Sequence, residues 1–108
     1  MDEVLSDRAG RLVMENADIW KAYQKLGKAC YEAGPLEGRT LRLVKLALAA
    51  GAGSEGAVHS QARRGIAERL SPDELRHVAF LAMTTLGFPK AVAVLTWIED
   101  IVKNGGKP

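Results

Sequence analysis

Cysteine is almost missing from this chain: Cys30 is the only one in 108 residues. An internal disulfide is therefore excluded, and so is any two-cysteine redox motif. Aromatic residues are scarce at 6%. The apolar content, 47% in all, rests largely on Ala, Val and Leu, which suit close helix packing better than a large-aromatic β core. Charge of one sign is lacking too. Fifteen basic and 13 acidic residues leave a formal net charge of +2, too balanced to point to a nucleic acid or a membrane surface. Long apolar runs are absent. The most apolar stretch, Leu41 to Gly53, is broken by Arg42 and Lys45 and is too short for a membrane span. The residues from Met1 to Arg8 are acidic and contain no apolar signal region. With the single thiol, this makes a cytoplasmic setting the expectation.

Strand signals are missing as well. No sustained alternation and no β-branched run bounded by turns occurs. What is present is helical periodicity, in six segments that predict an all-α bundle of about six helices in one domain spanning 1–108. The first segment runs from about Glu3 to Asn16. The second, Ala17 to Ala33, carries Ile19, Trp20, Tyr23, Leu26, Cys30 and Tyr31 as an apolar stripe ended by Gly34-Pro35. The third, about Glu37 to Ala50, offers Leu43, Val44, Leu46, Ala47 and Ala50 as a buried face. The fourth begins after Ser54, a residue type that caps helices, and ends near Leu70. The fifth starts at Ser71-Pro72-Asp73-Glu74, a capping box with proline at the first helical position. Gly87-Phe88-Pro89 separates it from the sixth, which packs through Val92, Leu95, Ile98 and Val102 and frays over 104–108.

Acid/base chemistry has one evident address. Glu55 and His59 stand four residues apart at the start of the fourth segment, one turn apart on one face. A carboxylate beside an imidazole can set the tautomer of the ring. The glycines at 51, 53 and 56 do not make a phosphate-binding pattern, since no strand precedes them. Their use is a tight turn and close helix approach.

From Ala17 to Ile101 the order of motifs is specific. Leu26-Gly27-Lys28-Ala29 precedes Gly34-Pro35-Leu36. Arg39-Thr40, Leu43-Val44 and Leu46-Ala47 follow, then the Gly/Ala turn, His59, Leu70 to Leu75, and Gly87-Phe88-Pro89 with Ala91. This pattern resembles the carboxymuconolactone decarboxylase family, which includes the alkylhydroperoxidase D-like proteins. The resemblance covers about four-fifths of the chain. It implies an all-helical fold that assembles as a homo-oligomer, usually a trimer or hexamer. In the thiol-active branch the fourth helix begins Cys-x-x-Cys-x-x-x-His, assisted by a glutamate on the third helix. Matched residue by residue, the cysteines fall on Ala52 and Glu55, the histidine on His59 and the glutamate on Arg42. The lactone-decarboxylating branch also lacks the cysteine pair and often shows a glutamate four residues before the histidine, as here.

The resemblance implies His59, with Glu55 four residues before it, as the site of a cofactor-free, metal-free carboxy-lyase acting on a small carboxylated lactone or acid. Arg42, where the decarboxylating branch too usually has a glutamate, is added as the third catalytic candidate on its residue type and an assumed contact. Arg42 would lie about 15 Å back from the turn and His59 about 10 Å forward, so antiparallel helices could bring them together. A guanidinium would hold the substrate carboxylate, and the imidazole would protonate the carbanion left by carbon dioxide. Plainer readings stand beside this one. His59 could satisfy a buried polar contact or sit at a subunit interface. The helix dipole alone accounts for Glu55. Arg42 could pair with Glu55 as a structural ion pair. Two further functions stay open: a non-catalytic or ligand-binding helical oligomer, and a thiol peroxidase, disfavoured because disulfide exchange needs two thiols. Cys30, on the apolar stripe, is expected to be buried and inert. His77 is expected to be solvated or interfacial. No Asp/Glu/His cluster with metal-ligand spacing is evident.

Overall fold

The computed structural model describes residues 7–106. The predicted beginning of the first helix at Glu3 and the last two residues of the tail lie outside that range. Six helices follow one another: α1 (Asp7–Glu15), α2 (Ala17–Glu32), α3 (Gly38–Ala52), α4 (Glu55–Ala67), α5 (Pro72–Leu86) and α6 (Phe88–Lys103). No strand occurs among the described residues. The fold is all-α, as the periodicity predicts.

Local chemistry sets the breaks. Gly53 closes α3 in the left-handed conformation, at φ +67°, which only glycine adopts without strain. Ser54 then caps α4, accepting the Ala57 N–H at 3.2 Å. Lys90, at the start of α6, donates to the Gly51 carbonyl at 2.9 Å and ties this turn to the far end of the bundle. Ser71 and Glu74 form both halves of the predicted capping box. Arg39 of α3 grips the Glu74 carboxylate. With the Ser71 backbone N–H it holds that carboxyl down to about 2. A depressed carboxyl contributes stability above its ordinary value of 4.5, and the contribution disappears as pH falls toward 2. Glu74→Gln is therefore expected to unfold with less pH dependence than the wild type across that acid window, as followed by thermal melts.

The core belongs to α3–α6. In it α3 packs on α4 and α5, and α6 packs on the same two helices. Leu46, Val58, Leu75, Val94 and Ile98 are its largest fully buried side chains. Gly65 lets α4 approach α5: a Cβ there would stand 3.0 Å from Leu75 Cδ2 and 3.2 Å from Leu70 Cδ1. Gly65→Ala is expected to cost about 1–3 kcal/mol in urea unfolding, by overpacking rather than by strained backbone.

Several faces differ from the sequence reading. On α3 the buried residues are Arg42, Leu46, Ala49 and Ala50, and Val44 is exposed. On α6 the buried row is Ala91, Val94, Ile98 and Ile101 rather than one beginning at Val92. The largest difference is α2, which has no buried residue. Its predicted stripe is exposed at Ile19, Tyr23 and Leu26, and Trp20 stacks on Tyr23 with centroids 5.8 Å apart. The four following helices close the core among themselves, so the stripe of α2 is left unburied, lining open space between α2 and the helices α3 and α4. Cys30, expected to be buried there, is exposed for the same reason.

Candidate functional site

α4 is the central helix of the site, and its faces sort the functional residues. Val58, Ala62 and Gly65 point into the core. Glu55, His59 and Arg63 follow at four-residue spacing along one flank. Gln61 and Glu68, seven residues apart, lie on the opposite flank.

On the first flank the His59 Nε2 meets Asp100 Oδ2 of α6 at 3.0 Å. Glu55 Oε2 is 4.0 Å from the same nitrogen. An ionised carboxylate only accepts, so Nε2–H is the donor to Asp100 and Nδ1 is the second ring nitrogen. The His59 side chain is 22% exposed, against 60% for Glu55 and 46% for Asp100. Both carboxylates thus approach the same ring nitrogen, at a solvent-reachable seam between α4 and α6. Glu55, His59 and Asp100 each offer one ligand atom, all within 4.8 Å of one another. Such a set could hold a divalent ion. Sequence spacing does not show this set, because Asp100 lies 41 residues from His59 and only the fold brings the two together.

Arg42 goes elsewhere. Its Nε and Nη2 donate to the two Glu68 carboxylate oxygens, each at 2.9 Å, and its Nη1 donates to Gln61 Oε1. Burial opposes the charge on the Arg42 guanidinium, but Glu68, with help from Tyr31, raises its pKa above the ordinary value. The structure does not bring Arg42 to His59, nor does it form the Arg42–Glu55 pair considered from sequence. Antiparallel packing about Gly53 explains this. Arg42 lies eleven residues before the turn and meets the C-terminal half of α4, whereas His59 lies only six after it.

Three cavities open elsewhere. One of about 450 Å³ lies between α3 and α5, lined by Thr40, Leu43, Val78 and the exposed His77 among others. A second, of about 810 Å³, lies under α2 and reaches Tyr31, Lys45, Gln61 and Arg64. The smallest, about 280 Å³, lies by Pro35 and Leu41. Cys30 lines the second and third. None of the three is lined by Glu55, His59 or Asp100.

The family model for the carboxymuconolactone decarboxylase family matches residues 17–100, and the chain belongs to that family. No individual curated protein and no solved structure matched it. No helix among the described residues is long and apolar enough to cross a membrane.

Proposed function

We propose that this family member is a thiol-independent acid/base catalyst of the carboxy-lyase type, acting on a small carboxylated lactone or a related acid. The observation that carries the reading is the 3.0 Å contact between His59 and Asp100, with Glu55 alongside. Decarboxylation breaks the bond between the carboxylate and its neighbouring carbon. The electron pair stays on that carbon and spreads into the unsaturated lactone carbonyl as carbon dioxide leaves. The protonated ring of His59 gives its Nδ1 proton to the carbon, and solvent restores it. Asp100 fixes the ring through Nε2–H, and Glu55 stands 4.0 Å from the same nitrogen. Arg42 is structural in this reading, because Glu68 already occupies its guanidinium.

No metal or organic cofactor takes part in the proposed step. A chelator is therefore expected to leave turnover unchanged. Added Zn²⁺ is expected to suppress it by competing with the Nε2 proton. The direct test is carbon dioxide release from a panel of small unsaturated carboxylated lactones in D₂O. Turnover should place one deuterium on the carbon that lost the carboxylate. No release across the panel would remove the enzyme reading.

The proposal includes a cytoplasmic setting and self-association as a trimer or hexamer; the exposed apolar residues of α2 support self-association alone. A second reading is a ligand-binding or non-catalytic helical oligomer. The observation in its favour is that His59 lines none of the three cavities. A thiol peroxidase remains disfavoured, because Cys30 is exposed but has no second thiol.

A further inference from the structure

The guanidinium of Arg63 is the strangest charge in the molecule. Arg63 is only 7% exposed, and its Nε is buried with no hydrogen-bond partner. Three other arginines grip carboxylates, Arg42 holding Glu68, Arg76 holding Glu99 and Arg39 holding Glu74, and Arg64 donates to the Tyr31 hydroxyl. Nothing among the described residues does the same for Arg63. Burial lowers its pKa, and the like charge of Arg64 lowers it further. A buried cation without a counter-charge destabilises the chain that carries it. Such a group stands out as a place where an anion is missing.

Its position gives the anion an address. Arg63 follows His59 by four residues on the same flank of α4. Helical side chains lean toward the N-terminus, so Arg63 leans over the turn that carries His59. Its Nε is covered, so an anion would have to meet the two terminal nitrogens, at a place that none of the three cavities reaches. Those two nitrogens suit the two oxygens of a carboxylate. The site also needs a positive charge. Glu55 and Asp100 are both acidic and would repel an anionic substrate from His59, and Arg42 is already neutralised by Glu68.

We propose that Arg63 is the anion-binding residue of this protein and takes the carboxylate of a small organic acid. This inference rests on the acid/base reading of His59 for what happens to that acid afterwards, but not for the binding itself. The substrate would be anchored and attacked from the same helix flank, one turn apart. The role sought for a guanidinium on α3 falls to one on α4.

The test measures binding and the state of His59 separately. Full-length protein is titrated with fumarate and with benzoate, each beside its neutral amide, by calorimetry and thermal melts. The wild type should bind the carboxylates and ignore the amides. Arg63→Met should weaken carboxylate binding by about 10- to 100-fold, while Arg63→Lys keeps part of it. Without ligand, Arg63→Met should melt no lower than the wild type, since it removes an unpaired buried charge. His59 ring resonances followed during the titration separate the two readings. If binding needs Arg63 but those resonances stay still, the anion site stands and the catalytic assignment of His59 falls. Equal carboxylate binding by Arg63→Met would overturn the proposal, as would wild-type protein that binds none. A Met variant that melts far lower, with Lys restoring it, would make Arg63 a structural cation and overturn it too. Loss of self-association in Arg63→Met, with no carboxylate binding by the wild type, would assign the counter-charge to a second copy instead.

Discussion

Exchange of His59 for glutamine is expected to slow carbon dioxide release by about 10²- to 10⁴-fold, the usual contribution of a positioned acid or base. Glutamine keeps a side-chain N–H that can still donate to Asp100, so the seam between α4 and α6 loses little. The loss should therefore fall on turnover and not on the melting temperature. Steady-state kinetics beside a thermal melt would separate the two. Asp100→Asn should cost less than His59→Gln, because it frees the ring without removing it. A His59→Gln protein that turns over at the wild-type rate would leave the seam as an ion pair and nothing more.

Arg42→Met is expected to do the reverse. Arg42 is 5% exposed and makes three side-chain hydrogen bonds, two of them to a carboxylate. Its loss leaves the buried Gln61 carbonyl oxygen without this donor and Glu68 without its cation. Glu68 is about half exposed, so water recovers part of its charge. The expected cost is about 2–3 kcal/mol, or roughly 10–15 °C in melting temperature for a domain of this size. Turnover per folded molecule should barely change. Replacing Glu68 with Leu in the same chain should restore much of the stability, because the unpaired carboxylate goes as well. A catalytic Arg42 would give the opposite pattern: folded protein that does not turn over.

These two residues show what could be read from the sequence. Glu55 and His59 were legible as a pair because helical spacing is local. Four residues is one turn in any helix, whatever surrounds it. The capping box at Ser71 and the turn at Gly53 were legible for the same reason, since a start or a stop is decided within a few residues. Asp100 was not legible, because only the packing of α6 on α4 brings it to the ring. The partner of Arg42 was missed for a related reason. Periodicity says which face a side chain shares, while the register of the helix pair decides whether it meets Glu55 or Glu68. The stripe on α2 shows the limit most clearly. Ile19, Tyr23 and Leu26 are correctly spaced for burial, but the pattern does not say whether the covering surface comes from the same chain. Arg63 left no signal in the sequence either, because two adjacent arginines on a helix do not say which of them is buried.

The unburied stripe of α2 has a consequence for how the molecule opens. A helix with no buried side chain has little holding it beyond its backbone ladder, its contacts with α1 and the contacts of Tyr31 with Arg64 and Lys45. In deuterated solvent its amides should exchange by local fraying, long before those of α3–α6, which must wait for the whole bundle to come apart. Protection would then divide the chain near Gly34-Pro35 into an early-exchanging arm and a late-exchanging body. A second subunit resting on that arm would erase the boundary.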